Sequence, residues 1–183
     1  AQRDRAAIVV CAGRAPATLG SGVPGGKDMS IHWIQEQPDQ NGIVRTFTKW
    51  DYELRNVESI NWVMQKAFQV ASTEPAGPVY LTLPRELLMQ RMEELQVPPQ
   101  SRHGQPVAPA ADQASIDTIA DWLVSATNPL IITGASGRYP DTVGPLTELA
   151  EAVGAPVSGA IGTRMNFPTH HPLNATASKN DLM

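Results

Sequence analysis

The chain has 183 residues, 42% of them hydrophobic and 17% charged, with a formal net charge of −4; that balance excludes a disordered chain, which lacks the apolar residues to build a core. An acidic protein with a pI near 5.5 and no Lys/Arg run interleaved with aromatics has no field to attract a polyanion, so nucleic acid is not an expected partner. The longest apolar runs fall far short of the roughly 20 residues of a membrane-crossing helix, so no membrane partner is expected either.

The first element is Ala6–Ala12, a continuous apolar run ended by Gly13, the pattern of a parallel strand covered on both faces. Its Cys11 is expected to pack as a small hydrophobe. A single cysteine allows no internal disulfide and accords with a reducing, cytoplasmic setting. Thr18–Gly26 holds Gly20, Gly22, Pro24, Gly25 and Gly26, too much backbone freedom for a regular element, so it reads as a loop.

From Val57 the apolar residues Ile60, Val63, Met64, Ala67, Phe68 and Ala71 recur at helical spacing, with Asn56 as N-cap. Pro75, Gly77 and Pro78 stop that helix. Val79–Leu83 is rich in β-formers, and Pro84 opens a further helix. Strand, helix, strand, helix is the order of an α/β fold with a parallel sheet.

Residues 96–112, QVPPQSRHGQPVAPAAD, contain four prolines and no apolar periodicity, which marks a linker between a first domain, 1–95, and a second, 113–183. Beyond it Ile116, Ile119, Ala120, Leu123 and Val124 form another helical stripe, ended before Pro129. Leu130–Thr133 then reads as a strand, Gly134–Gly137 as a turn, and Val143, Leu146, Leu149, Ala150 and Val153 as one helix face. Gly154 closes that helix and Pro156–Ala160 begins the next strand, a crossover that implies parallel pairing. The tail from Asn174 has the look of a helix start.

The turn Gly134-Ala135-Ser136-Gly137 lacks the third glycine of a dinucleotide fingerprint and the Lys-Ser or Lys-Thr of a P-loop. Two readings stay open. It is either a plain turn, or, at the end of a strand and the start of a helix, an anion cradle formed with Arg138. Lys49 and Trp50 read as a packed aromatic beside a snorkelling lysine. Glu36 and Asp39, separated by Pro38, read as solvated loop carboxylates. His32, His170 and His171 read as loop histidines without a third metal ligand at suitable spacing.

Several stretches taken in order resemble one family. These are Ile34-Gln35-Glu36, Phe47-Thr48-Lys49-Trp50, Gly77-Pro-Val-Tyr-Leu-Thr-Leu-Pro84-Arg85-Glu86, Asn128–Gly134, Gly154-Ala155-Pro156-Val157 and His171-Pro172-Leu173. Together they resemble the thiamine diphosphate-dependent enzymes related to acetolactate synthase. That resemblance implies the C-terminal part of a pyrimidine-binding domain followed by part of a Rossmann-like central domain. It implies thiamine diphosphate and Mg2+ as cofactors and a 2-keto acid as the small-molecule substrate, decarboxylated and transferred as a two-carbon unit. The metal and diphosphate site is expected outside these residues, since no Gly-Asp-Gly followed by a downstream Asn occurs. The residues alone are expected to be inactive, and a homodimer or homotetramer is implied for the whole enzyme.

By the same resemblance Gln35 matches the family's glutamine beside the substrate end of the cofactor. Arg85 stands where acetolactate synthases usually carry lysine, and a guanidinium fork there would grip a carboxylate bidentately. Gln35 and Arg85 are thus the candidate catalytic residues. Flavin-bearing members use the central glycine turn, here Gly134, Ala135, Ser136, Gly137 and Arg138, with a later strand end. In this chain that later segment places Arg164 and Met165 where small residues are expected, a departure that counts against FAD and leaves Arg164 to pair with a phosphate or a carboxylate. The alternative from another class is a non-catalytic α/β module that binds a nucleotide or coenzyme at Gly134–Arg138.

Overall fold

The computed structural model describes residues 1–20, 22–99, 104, 107, 109–159 and 164–176, and the chain forms two compact units, Ala1–Ala108 and Pro109–Met183. The first contains β1 (Val9–Arg14), α1 (Ser30–Ile34), β2 (Trp50–Glu53), α2 (Ile60–Ser72), β3 (Val79–Pro84) and α3 (Arg85–Leu88). Its sheet has the order β1-β3-β2 with every pair parallel.

Alternation along β3 divides the unit into an apolar and a polar face. Val79 and Leu81 pack with Val63, Ala67 and Ala71 of α2 and with Leu54 in the buried core. Trp50 and Tyr52, stacked at 5.5 Å, border the same core. Tyr80 and Thr82 belong to the opposite face, where Thr82 Oγ1 donates to Asn41 Oδ1 at 2.9 Å and Gln40 Nε2 donates to Tyr80 Oη at 3.2 Å. The helix expected from the Val57 stripe forms as a 3-10 turn, Val57–Ser59, running into α2, and Asn56 caps it by accepting from the Ser59 amide. Phe68, at the edge of the stripe, is exposed. Lys49 donates to the carbonyls of Val70 and Thr73, so its cation closes the C-terminus of α2 where the helix dipole favours it.

One expectation fails here. Cys11 is exposed and β1 is only partly buried, because β1 lies at the sheet edge and within this unit only part of its surface is covered. A continuous apolar run does not distinguish an edge strand from a central one.

The second unit holds α4 (Gln113–Ser125), β4 (Ile131–Thr133), α5 (Val143–Val153) and β5 (Val157–Gly159), with β4 and β5 parallel. Asp112 caps α4, its carboxylate accepting from the Ser115 amide at 2.9 Å. Gly154 ends α5 at φ +64, a left-handed position that suits a residue without Cβ. Ala150, Val157 and Phe167 form the buried cluster. The apolar stripe expected at Ile116–Val124 forms as helix α4, and none of its residues is buried. Much of the proline-rich stretch (100–103, 105, 106 and 108), the strand end at 160–163 and the tail at 177–183 lie outside the described residues. Among the described residues no helix is long and apolar enough to cross a membrane.

Candidate functional site

In an open parallel sheet, ligands collect at the carboxyl ends of the strands. In the first unit β3 runs without a loop into α3, so Arg85 and Glu86 stand at that edge. Glu86 is buried, and its Oε1 accepts from the amides of Ala17 and Thr18 at 2.8 and 3.1 Å and from Thr18 Oγ1 at 3.2 Å. One carboxylate oxygen therefore ties the loop after β1 to the helix after β3. Gly25 packs on the same helix at φ +80, where a Cβ would meet Met89 Cγ at 2.8 Å and Glu86 Cα at 3.0 Å. The glycine-rich loop is a fitted lid on α3, and glycine is required at that point by both conformation and space.

The loop delivers a buried cation as well. Lys27 pairs with Glu36 Oε2 at 2.6 Å and stands 4.2 Å from the centre of the Trp33 ring, so its charge is neutralised on one side and faces an aromatic on another. Next to this pair, Arg85 Nη1 approaches His32 Nε2 at 3.2 Å and Asp28 Oδ1 at 3.7 Å. His32 Nδ1 faces Asp28 Oδ1 at 3.4 Å, a polar contact without hydrogen-bond geometry. His32 is buried, whereas the Arg85 side chain keeps 40% of its exposure. Gln35, the C-cap of α1, is exposed on the helix that carries His32.

The polar face of the sheet has a cleft of about 440 Å³ lined by Arg14, Gln40, Asn41, Arg45, Asp51 and Glu53, among others. Two of its cations are paired: Arg14 with Glu53, and Arg45 with Asp39 at 2.9 Å and Asp51 at 3.2 Å, while Arg55 also lines it. The Arg45 hydrogen bonds, with the Gly42 amide, hold the Asp39 carboxyl below its usual range, and the two carboxylates raise Arg45 above its own.

In the second unit the turn after β4 is clamped by one side chain. Asn166 Oδ1 accepts from the Gly137 amide at 2.9 Å while its Nδ2 donates to the Gly134 carbonyl at 3.2 Å. A Cβ on Gly137 would overlap the Met165 carbonyl. The amides of Arg138 and Tyr139 bond to the carbonyls of Ala135 and Ser136 at 3.1 Å, and two 3-10 turns, Ser136–Arg138 and Pro140–Thr142, lead from Gly134 into α5. Arg138 lies over the Tyr139 ring at 5.0 Å. Arg164, exposed, borders a small hollow of about 120 Å³ with Asn166 and Thr176.

The structure thus gathers Arg85 with His32 and the helix bearing Gln35, and separately gathers Gly134, Gly137 and Asn166. His32 is a helix residue and not the loop histidine expected. His171 sits in a loop but is engaged: Nε2 lies 3.1 Å from Glu151 Oε1, Nδ1 accepts from the Leu173 amide, and the ring meets Phe167 edge-on at 4.9 Å. Among the described residues no group of three or more His, Cys, Asp or Glu is placed to hold a metal. Sequence reasoning missed Glu86, Lys27 and Asn166. A signal existed for the first, an acid in the first turn after Pro84 beside a candidate arginine. Asn166 offered none.

Comparison with known proteins adds an independent line. Residues 116–180 match the family described as thiamine pyrophosphate enzyme, central domain. The chain is 27% identical over 139 residues to the acetolactate synthase isozyme 1 large subunit of Escherichia coli K12, covering 76% of this chain and 24% of that protein. It is 28% identical over 141 residues to the sulfoacetaldehyde acetyltransferase of Rhodobacter capsulatus, covering 76% of this chain and 23% of the relative. The crystal structure of benzoylformate decarboxylase from Polynucleobacter necessarius superposes with a TM-score of 0.73 at 22% identity, covering 94% of this chain and 30% of the other. The chain spans about a quarter of the length of the curated relatives it matches.

Proposed function

We propose that this chain is part of a thiamine diphosphate-dependent enzyme related to acetolactate synthase, the reading its similarities support, and that it serves the decarboxylation of a 2-keto acid and transfer of the resulting two-carbon unit. Residues 1–95 supply part of the pyrimidine-binding domain and 113–183 part of the central domain. The observation that carries this reading is the half-exposed Arg85 fork at the carboxyl edge of the first sheet, held against the helix bearing Gln35.

Thiamine diphosphate, when bound, supplies the carbon nucleophile, and protein groups orient the reactants around it. Arg85 binds the substrate carboxylate through its N–H groups, a charge-assisted contact of the strong kind. Gln35, uncharged and able both to donate and to accept, orients a carbonyl or hydroxyl without fixing a charge. Mg2+ accompanies the cofactor's diphosphate and is held by groups other than the described residues. The glycine turn fits a nucleotide poorly, since Asn166 and the turn itself occupy the Gly137, Arg138 and Tyr139 amides, so of its two readings the plain turn is favoured and FAD is left out. A reducing, cytoplasmic compartment and a homo-oligomer belong to the same proposal.

The test is turnover of pyruvate, as the simplest 2-keto acid, by the complete gene product supplied with thiamine diphosphate and Mg2+. Arg85→Ala is expected to lower kcat/KM by about 10- to 100-fold, mainly through KM, the range of a lost hydrogen bond to a charged group. Gln35→Ala should lower it about tenfold. Saturable binding of ADP or FAD without any thiamine-dependent turnover would favour the nucleotide-binding module instead.

A further inference from the structure

We propose that His32 is a positioning residue: a neutral imidazole, protonated on Nδ1, whose Nε2 lone pair fixes the orientation of the Arg85 guanidinium. The proposal deepens the reading of Arg85 as a carboxylate-binding fork, and its functional consequence rests on that reading.

A guanidinium only donates, and Arg85 Nη1 lies 3.2 Å from His32 Nε2. Nε2 must therefore accept, which requires that it carry no proton. A neutral ring with a bare Nε2 holds its single proton on Nδ1, and that nitrogen is the one facing Asp28 Oδ1 at 3.4 Å. The opposite tautomer would set an N–H against an N–H, and an imidazolium would add repulsion between two cations. The charged groups that face the ring are Asp28 from the segment before α1 and Arg85 from α3; Glu36, one turn along from His32, is engaged by Lys27.

Burial makes the arrangement directional. His32 is 7% exposed while the Arg85 side chain retains 40%, so the ring is the fixed member and the fork the presented one. Arginine has five N–H donors, and the contact with Nε2 uses one. Nη1 also stands 3.7 Å from Asp28 Oδ1, and the Nε and Nη2 donors stay available to a carboxylate. Because His32 lies on α1 and Gln35 caps its end, the same contact ties the positions of both candidate catalytic residues. Holding a fork in its binding geometry raises affinity by removing the ordering cost that binding would otherwise meet.

The experiment uses the 183-residue chain labelled with 15N in its four histidines and in its arginines, His32 being assigned by its loss in His32→Gln and Arg85 by its loss in Arg85→Lys. Long-range proton–nitrogen spectra are expected to show His32 with an unprotonated Nε2 and a protonated Nδ1; a proton on Nε2 would overturn the proposal. Two variants of equal polarity then separate positioning from folding. A glutamine reaches the place of Nε2 with an acceptor oxygen, whereas an asparagine reaches only that of Nδ1. His32→Gln should keep the Arg85 Nε–H signal sharp and slow to exchange, and His32→Asn should broaden it. If the two variants behave alike on that signal, the proposal fails. Pyruvate titration is the last arm, with affinity about tenfold weaker in His32→Asn and within about twofold of wild type in His32→Gln. Should pyruvate leave even the wild-type Arg85 signal unmoved, the carboxylate reading falls, while the tautomer and the Arg85 signal still decide the role of His32.

Discussion

The two units solve one problem, holding a loop at the end of a parallel strand, with opposite chemistry. In the first unit the loop after β1 hangs on a buried carboxylate, Glu86, and is flanked by the Lys27–Glu36 pair and the Asp28–His32–Arg85 group. In the second, the turn after β4 is closed by the neutral amide of Asn166 and by direct backbone approach at Gly137. Ionic clamping leaves a donor over, the exposed part of Arg85. Amide clamping leaves little, because the side chain and the backbone satisfy each other. A site that must grip an anion needs the first arrangement; a turn that must only keep its shape needs the second.

The sharpest way to break this contrast is to add one methyl group to each glycine of the turn. At Gly137 a Cβ would overlap the Met165 carbonyl, and both partners are backbone, so no rotamer relieves the clash. Gly137→Ala should cost about 3 kcal/mol, the upper range for overpacking. At Gly134 nothing lies within 4 Å of the added carbon, and Gly134→Ala should change stability by less than about 0.5 kcal/mol. Urea denaturation monitored in the second unit distinguishes them. Equal effects would mean that the turn does not press on residues 165–166.

A smaller effect sharpens the comparison from the other unit. Glu86→Ala leaves the Ala17 and Thr18 amides without their acceptor and should cost about 2 kcal/mol. Hydrogen exchange at those two amides should accelerate in step. Glu86→Gln keeps an oxygen where Oε1 now accepts and is expected to preserve their protection. If glutamine fails as badly as alanine, the charge of Glu86 matters and not merely its acceptor.

Local patterns were legible in the sequence, and long-range pairings were not. The stripes at Val57–Ala71 and Val143–Val153 became helices with Asn56 and Gly154 at their ends, because capping and periodicity are set within a few residues. The burial of β1 was overestimated, since an apolar run says which residues seek a partner and not whether one covers them. His32 was dismissed because its partner Arg85 lies 53 residues away. Asn166 was invisible for the same reason, being 29 residues from the amide it holds. Gln35 and Arg85 came from resemblance; the physical reason to look at Arg85, its contact with a buried ring, came only from the fold.

The smallest expected effect compares two exposed carboxylates, one per unit, whose pKa values are lowered for different reasons. Asp39 is held below its usual range first by Arg45 and then by the Gly42 amide; Asp112 is held down by the hydroxyl and amide of Ser115 at the start of α4. A carboxyl depressed in the folded state contributes stability that is present above its unfolded value, near 3.9, and is lost as pH falls through the folded value. Both contributions should therefore be complete at neutral pH and vanish in the acid range below about pH 4. Salt separates them: an exposed ion pair is screened, whereas a cap made by a hydroxyl and an amide involves no opposite charge. Carboxyl 13C titration in 1 M NaCl should move Asp39 back toward the ordinary value and leave Asp112 nearly where it was. A shift of equal size at both positions would show that Asp39 is held by its local backbone, and that the Arg45 pairs on the polar face of the first sheet contribute geometry without charge.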